Sequence, residues 1–147
     1  KIVQVQERTQ QLIRQLLNVW ESSVRATHDF LSEEEIIKIR EYVPMAIENV
    51  EYLIIAEKEF GEPVAFMGID SNRLEMLFLS PEVRGKGFGK QLLQYGIETY
   101  NIQELTVNEQ NPQAVGFYEH MGFQTYKRTE YDEEGNPYPL LYMRLSR

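Results

Sequence analysis

Residues 81–90 read Pro-Glu-Val-Arg-Gly-Lys-Gly-Phe-Gly-Lys, and they join a predicted strand to a predicted helix. Three glycines within five positions allow the backbone to approach a bound group closely, because glycine has no Cβ atom. The amides at the start of the following helix, together with the positive end of its dipole, favour an anion. Arg84, Lys86 and Lys90 add positive charge. The segment therefore predicts a phosphate or pyrophosphate site, and the competing interpretation is a flexible turn with solvated lysines.

Two familiar nucleotide-binding loops do not match this segment. A Walker A loop has four residues between its first glycine and a closing Gly-Lys-Ser/Thr, whereas Gly85 and Gly89 enclose three residues and Gln91 follows Lys90. A dinucleotide-binding loop has the spacing G-x-G-x-x-G in a parallel β-α-β unit, whereas this loop has G-x-G-x-G after an antiparallel pattern. We therefore expect neither a P-loop nucleotide nor NAD.

The pattern of apolar residues around the loop predicts alternating helices and strands. Upstream it predicts an edge strand at residues 2–5, a helix at 9–20, an aperiodic segment at 21–31, a second helix from 32 towards 50, and strands at 53–56, 64–70 and 74–79. The Ser32 and Glu35 pair caps the second helix, and we expect Pro44 to kink or split it. Downstream it predicts helices at 90–100 and 112–121, and strands at 105–107, 123–131 and 140–145. This order indicates an α+β (mixed α/β) fold with a mixed sheet.

The composition indicates one folded domain over residues 1–147. Hydrophobic residues make up 42% of the chain and charged residues 26%, as is typical of globular proteins. We expect a cytoplasmic protein without a membrane partner, because there is no apolar run of about 18 residues and no signal-peptide core in residues 1–11.

Charge and cysteine content narrow the function classes. The chain has no cysteine, which excludes zinc-thiolate sites and cysteine nucleophiles. With only two histidines it also argues against a histidine-rich metal site, and we expect no bound metal. Its formal charge of -8 disfavours a nucleic-acid partner, since such proteins need a basic face. A cationic or neutral partner fits better, and the sequence leaves monomer and homodimer open.

The loop resembles the signature R/Q-x-x-G-x-G/A of the Gcn5-related N-acetyltransferase (GNAT) family, here at residues 84–89. The preceding strand at 77–81 and the segment at 111–123 are also similar to that family. The YjaB-type bacterial acetyltransferases are a closer resemblance, through residues 20–31, 108–111 and 137–141. The resemblance spans the chain and implies the GNAT fold, a central mixed and mostly antiparallel sheet of about six to seven strands flanked by about four helices.

The resemblance also implies the reaction, which is acetyl transfer from acetyl-CoA to a primary amine of a small molecule or protein. The loop amides would hold the pyrophosphate of coenzyme A, the strand backbone at Phe78 and Leu79 would pair with the pantetheine arm and polarise the thioester, and Asn111 would contact the same arm. The full set of implied coenzyme A contacts is Phe78, Leu79, Arg84, Gly85, Lys86, Gly87, Phe88, Gly89, Lys90, Asn111, Ala114 and Tyr118.

Three residues are candidates for proton transfer. Tyr118 matches the family tyrosine that protonates the leaving sulfur, although its helical spacing also fits a core aromatic. Glu75 stands where many family members carry an acid that deprotonates the amine, and it also fits a solvent-facing strand position. His28 is the rival base, with a structural histidine as the alternative. The acceptor side would be formed by Trp20, Ser23, Thr27, His28 and Tyr138.

Without a cysteine, a route through an acetylated thiol is excluded for this sequence, so we expect direct transfer in a ternary complex. The alternative function is a non-catalytic module that binds or senses coenzyme A.

Overall fold

The computed structural model describes residues 1–146, which form one seven-stranded sheet with helices on both faces. The strands are β1 (Ile2–Gln4), β2 (Tyr52–Glu57), β3 (Pro63–Asp70), β4 (Arg73–Leu79), β5 (Glu104–Asn108), β6 (Phe123–Thr129) and β7 (Leu140–Leu145). The helices are α1 (Gln10–Thr27), α2 (Glu33–Arg40), α3 (Val43–Asn49), α4 (Phe88–Tyr100) and α5 (Pro112–His120), and short 3-10 turns lie at Glu59–Gly61 and Pro81–Val83.

The sheet has the order β1-β2-β3-β4-β5-β7-β6. Every neighbouring pair is antiparallel except β4 and β5, which run parallel. These two strands pair only at Arg73 with Glu104 and Leu74 with Leu105, near the start of each strand. Their carboxyl-terminal halves therefore diverge and leave a gap in the middle of the sheet. The prediction of a mixed, mostly antiparallel sheet is confirmed.

The sheet carries a hydrophobic core on each face. On one face α4 packs against side chains that include Met67 of β3, with Leu92 and Leu93 fully buried. On the other face α1 and α3 cover side chains that include Phe66. Neighbouring residues of β3 thus enter opposite cores, as the two-residue repeat of a strand requires. The sheet therefore lies between two layers of helices.

Helix α1 is longer than its predicted range of 9–20. Thr9 caps it, since its hydroxyl accepts from the amide of Leu12, and the helix continues to Thr27. The prediction of an aperiodic segment at 21–31 is wrong for its first half. Ser23 and Val24 lie on the buried side of the helix, and the polar Ser23 hides the apolar repeat. As a consequence His28 lies at the carboxyl end of α1, where its backbone amide donates to the carbonyl of Val24 at 2.8 Å.

The predicted second helix is split into α2 and α3. Ser32 and Glu35 form the expected capping box at the start of α2, with each side chain accepting from the backbone amide of the other residue. Pro44 lies in the first turn of α3, where a missing amide costs no helical hydrogen bond. A proline at that position cannot continue α2, which explains why the helix does not run on towards residue 50.

The remaining boundaries agree with the sequence to within a few residues. Gly122 ends α5 with a φ of +100°, a left-handed conformation suited to glycine. Strand β6 ends at Thr129, short of the predicted residue 131. Between β6 and β7, Asp132 Oδ1 accepts from the amides of Glu134 and Asn136, at 3.0 and 2.8 Å, and folds the connection into a tight loop.

Candidate active site

The glycine-rich loop forms an open cradle at the start of α4. Gly85 and Gly87 have φ values of +77° and +88°, and a Cβ placed on either one would meet no heavy atom within 4 Å. Gly87 is the N-cap residue of α4, so no side chain caps this end of the helix. The amides of the first turn have no carbonyl partner within the helix and face the open space. A phosphate group fits these amide donors and the positive end of the helix dipole.

The residues of the loop differ in what they contribute. Arg84 donates to Gln113 Oε1 at 2.7 Å and so links the loop to α5. The side chain of Phe88 packs against the core, and neither Phe88 nor Lys86 lines the adjoining cavity. The backbone amide is therefore the part of Phe88 that is available to a bound group.

A cavity of about 670 Å³ extends from this loop along β4 and α5, and we call it the donor cleft. Its volume lies in the range of small-molecule sites. Its lining residues are Ser23, Thr27, His28, Leu77, Phe78, Leu79, Arg84, Gly85, Gly87, Gly89, Lys90, Asn111, Gln113, Ala114, Phe117, Tyr118, His120 and Met121.

The backbone of β4 presents hydrogen-bonding groups to the gap beside it. The amide of Ser80 donates to the carbonyl of Val64 in the β3 direction at 2.8 Å. Since alternate residues of a strand direct their amides to the same neighbour, Phe78 also turns its amide towards β3, where it pairs with Phe66. Leu77 and Leu79 turn theirs towards the gap, where β5 has diverged. The expectation for Leu79 fits this geometry. The expectation for Phe78 does not, because its backbone pairs with β3, and the neighbouring amide that is open to the gap is that of Leu77. Phe78 lines the cleft, and its ring packs against that of Phe66 with centroids 5.6 Å apart.

Tyr118 is a core residue whose hydroxyl is open. The residue is 9% exposed, and its ring packs against Phe117 and Phe123 with centroids 5.3 and 6.1 Å apart. No residue within 1–146 forms a hydrogen bond with its hydroxyl. Every fully buried side-chain N or O atom of those residues has a hydrogen-bond partner, so this hydroxyl is not fully buried. The hydroxyl therefore reaches the surface of the cleft. Burial raises the pKa of Tyr118 well above its ordinary value of 10, so the phenol stays protonated at neutral pH.

Asn111 has a structural contact as well as a position in the cleft. Its Oδ1 accepts from the amide of Ala114 at 3.3 Å and caps α5. Its side-chain amide group remains free to donate, and both Asn111 and Ala114 line the donor cleft. Because the cap uses only Oδ1, Asn111 can cap α5 and still donate from its side-chain amide to a group bound in the cleft.

A second cavity of about 590 Å³ lies on the α1 and α2 side, and we call it the acceptor cavity. Trp20, only 4% exposed, lines it. Tyr138, from the loop before β7, donates its hydroxyl proton to Glu35 of α2. The rings of His28, Phe30 and Tyr138 form a row, with neighbouring centroids 5.3 and 5.6 Å apart. The acidic residues that line the acceptor cavity are Glu35, Asp132 and Glu134.

A third cavity lies beside β4 and shares lining residues with both the donor cleft and the acceptor cavity. His28, Glu75 and Tyr118 all line it. Glu75 lies where the pairing of β4 with β3 shifts by one residue. Its side chain is 36% exposed, and its Oε2 lies 3.1 Å from Arg73 Nε. Burial by neighbouring groups raises the pKa of Glu75, while Arg73 opposes the shift. The structure thus brings together the three residues predicted for proton transfer.

His28 and Phe78 line all three cavities. The His28 Nδ1 lies 2.7 Å from the Thr27 hydroxyl oxygen. Burial and the charge of Arg84 lower the pKa of His28, and Asp29 acts in the opposite direction. The imidazole is therefore neutral at pH 7.

The residues predicted for the acceptor side fall into two groups. Trp20 and Tyr138 line the acceptor cavity, whereas Ser23 and Thr27 line the donor cleft. Ser23 is also buried in the α1 packing. Within residues 1–146, no group of three or more histidine, aspartate or glutamate side chains is close enough to hold a metal ion.

Comparison with known proteins agrees with this geometry. Residues 9–145 match the family model described as acetyltransferase (GNAT) domain. The chain belongs to the GNAT acetyltransferase family. It is 42% identical over 126 residues to the peptidyl-lysine N-acetyltransferase YjaB of Salmonella typhimurium and 40% identical over 127 residues to that of Escherichia coli, with 86% of each chain covered in both comparisons.

Solved GNAT structures share the fold. The solution structure of apo-form YjaB from Escherichia coli has a TM-score of 0.87 at 37% identity, covering 98% of this chain and 97% of that one. The PaiA N-acetyltransferase of Thermoplasma acidophilum in complex with coenzyme A has a TM-score of 0.72 at 22% identity, covering 100% and 99%. The predicted family, its YjaB-type subgroup, the fold and the N-acetyltransferase activity are confirmed.

Several residues of this GNAT site were not predicted from the sequence. In the donor cleft they include Leu77 and Gln113, and in the acceptor cavity they include Phe30 and Asn108. The acidic runs at 33–35 and 132–134 suggest either solvated surface or attraction of a cationic amine. The sequence does not show that Glu35 contacts Tyr138, because the two residues lie 103 positions apart. The resemblance at residues 108–111 was the one signal that pointed to Asn108.

Proposed function

We propose that this GNAT protein transfers the acetyl group of acetyl-CoA to the side-chain amine of a lysine in a protein substrate, within a ternary complex. The observation that carries the proposal is the donor cleft, which unites the glycine cradle, the open backbone of β4 and the Tyr118 hydroxyl in one cavity. The YjaB relatives of this chain are named peptidyl-lysine N-acetyltransferases, which supports the substrate class.

The cradle fits the pyrophosphate of coenzyme A. The amides of Gly85, Gly87, Gly89 and their neighbours supply donors, and Arg84 and Lys90 supply positive charge next to the cavity. The open backbone groups of Leu77 and Leu79 can hydrogen-bond with the amides and carbonyls of the pantetheine arm. The arm would then occupy the place of a neighbouring strand. An amide of Leu77 or Leu79 is then a donor for the thioester carbonyl oxygen, where negative charge develops during transfer.

Tyr118 acts as the acid in this proposal. The amine nitrogen forms a bond to the thioester carbon, the carbon–sulfur bond breaks, and the sulfur takes the phenolic proton. A phenol kept protonated by burial is suited to this step. Two groups on the same cavity are available to take the proton of the amine, namely Glu75 and His28.

The acceptor cavity suits a cationic side chain. Its lining has three carboxylates, those of Glu35, Asp132 and Glu134, against the single ammonium of Lys38, so the balance of charge favours a cation. The row of His28, Phe30 and Tyr138 rings accommodates the aliphatic stem of a lysine. This sequence offers no cysteine for an acetylated intermediate. With that route excluded, we propose that donor and acceptor are bound together, and the cavity beside β4, which is lined by residues of both sites, supports this arrangement.

No helix within residues 1–146 is both long and apolar enough to cross a membrane. A cytoplasmic location and the choice between monomer and homodimer stay predictions.

The test is acetylation of a peptide with a blocked N-terminus and a single lysine. We expect the parent protein to add one acetyl group per peptide when acetyl-CoA is present, as measured by mass spectrometry. A matched peptide with arginine in place of lysine is the control, and a peptide ending in a free α-amine tests the other amine class. Acetylation of the free α-amine with none at lysine would contradict the proposed substrate class.

A further inference from the structure

We propose that the Thr27 hydroxyl holds His28 in the tautomer protonated at Nδ1, so that His28 Nε2 faces the cleft as the proton acceptor for the incoming amine. Thr27 is then a positioning residue and His28 a catalytic base. The inference rests on the proposed acetyl transfer and adds the identity of its base.

The hydrogen-bond geometry around Thr27 determines the tautomer. The Thr27 hydroxyl oxygen lies 2.8 Å from the carbonyl oxygen of Ser23, and a carbonyl oxygen can only accept. The single hydroxyl proton must therefore lie between these two oxygens. The same hydroxyl oxygen lies 2.7 Å from His28 Nδ1, and it has only lone pairs left for that contact. Nδ1 must donate, so it carries the ring proton and leaves the lone pair of a neutral imidazole on Nε2.

The position of His28 directs that lone pair to the reaction. No residue within 1–146 forms a hydrogen bond with Nε2. Every fully buried side-chain nitrogen of these residues has a hydrogen-bond partner, so Nε2 is not fully buried and is open to the cleft. His28 lines all three cavities and shares the one beside β4 with Tyr118. The contact of its ring with Phe30 and its place at the end of α1 limit rotation.

The charges around His28 come from every element that packs near it. Arg84 of the loop opposes protonation, and Asp29 favours it. The other charged groups on the cavities that His28 lines are Glu35, Lys38, Arg73, Glu75, Lys90, Asp132, Glu133 and Glu134. Burial has the largest effect and keeps the ring neutral. Glu75 is the less available base, because its carboxylate is engaged by Arg73 at 3.1 Å.

The proton balance is complete with these groups. Nε2 takes one proton from the lysine ammonium, and the neutral amine forms the carbon–nitrogen bond. The carbon–sulfur bond breaks as Tyr118 protonates the sulfur, and the second amine proton returns to the Tyr118 oxygen. His28 then releases its proton to solvent, so that one proton is produced for each acetyl group transferred.

The tautomer can be observed without any substrate. The chain has two histidines, so ¹⁵N-labelled protein gives two sets of ring signals, and His120→Gln identifies those of His28. We expect a protonated Nδ1 and an unprotonated Nε2 in the parent protein at pH 7.5. Thr27→Val should move the ring towards a mixture of tautomers, and Thr27→Ser should restore the parent pattern. A parent spectrum with the proton on Nε2 would overturn the proposal.

Kinetics with acetyl-CoA and the lysine peptide separate this inference from the function itself. We expect His28→Ala to lower kcat by about 10²–10³-fold, with little change in acetyl-CoA affinity. Thr27→Val should lower kcat by about tenfold, the size of a lost orienting bond near 1.4 kcal/mol, and Thr27→Ser should recover it. In the parent, kcat/KM should fall as the pH drops through the lowered pKa of His28, because the protonated ring cannot accept a proton.

The outcomes are distinct. An inactive parent protein contradicts the proposed function. An active parent whose acid limb persists in His28→Ala and disappears in Glu75→Gln assigns the base to Glu75 and overturns the inference alone.

Discussion

At the residue scale, Tyr118 has a role in core packing and a proposed role in proton transfer. Its ring is part of the core, and its hydroxyl opens to the donor cleft. Tyr118→Phe keeps the ring contacts with Phe117 and Phe123 and removes only the proton donor. We expect kcat to fall by about 10²–10⁴-fold, since a leaving-group acid acts in the transition state. Steady-state kinetics measures the fall in kcat, and calorimetry measures whether acetyl-CoA binding changes.

The control for this variant is Tyr52→Phe. Tyr52 packs against Tyr100 with ring centroids 4.5 Å apart and lines none of the cavities described above. It should leave kcat within about twofold of the parent value, a difference under 0.5 kcal/mol. Unchanged turnover in Tyr118→Phe would remove Tyr118 from the reaction.

Residues within local motifs could be predicted from the sequence, whereas those that depend on pairing could not. The glycines of residues 85–89, Asn111 and Tyr118 stand in contiguous patterns. The role of Leu77 depends on which way its amide points, which follows from the register of β4 against β3. Gln113 reaches the loop only through its contact with Arg84, 29 residues away.

At the element scale, the Tyr138 and Glu35 contact joins the loop before β7 to α2 across the acceptor cavity. Tyr138→Phe keeps the ring beside Phe30 and removes this hydrogen bond. We expect faster hydrogen exchange in residues 130–139 and a rise of about three- to tenfold in KM for the peptide, as a hydrogen bond of about 0.5–1.5 kcal/mol implies. Acetyl-CoA affinity should not change. Unaltered exchange in the loop would show that the contact does not hold it.

Arg8 connects the segment before α1 to the end of α3. Its guanidinium donates to four backbone carbonyl oxygens at 2.5–3.1 Å, those of Ile47, Glu48, Val50 and Glu51. We expect Arg8→Met to lower the free energy of unfolding by about 1–3 kcal/mol, because these carbonyls lose a charged donor. Urea denaturation measures the change. Arg14→Met, an exposed arginine of α1, is the matched control, and an equal loss in both variants would contradict this role.

The helices show why element boundaries are harder to predict than element types. A stripe of apolar residues identified α1, but Ser23 at a buried position obscured its last two turns. Pro44 predicted a break without saying whether the helix bends or ends. The strands were easier, because β2 and β3 are apolar at nearly every position, as expected for strands covered on both faces.

At the scale of the whole molecule, one sheet carries both cores, so we predict that residues 1–147 unfold as a single domain. Trp20 is the sole tryptophan and belongs to the α1 core, whereas Leu93 belongs to the α4 core. Leu93→Ala should lower stability by about 2–5 kcal/mol, and Trp20 fluorescence should report the full loss. Fluorescence and far-UV circular dichroism should give the same midpoint. Separate midpoints would show two units.

The fold also reconciles the net charge of -8 with the proposed anion site. Arg84 and Lys90 lie beside the cradle, while Glu35, Asp132 and Glu134 lie on the acceptor cavity. The sequence predicted the basic loop because its residues are adjacent. The acidic cavity brings together residues from α2 and the loop before β7, which only the folded chain makes neighbours.

The most direct test of the donor cleft is calorimetric titration of acetyl-CoA into the parent protein, Gly87→Glu and Gly135→Glu. Gly87 and Gly135 both have a left-handed backbone, with φ values of +88° and +83°, and open space at the Cβ position. The two variants therefore bear similar backbone strain, but only Gly87→Glu places a carboxylate in the cradle. We predict that the parent and Gly135→Glu bind acetyl-CoA and that Gly87→Glu does not. Equal binding by all three proteins, or none by the parent, would contradict it.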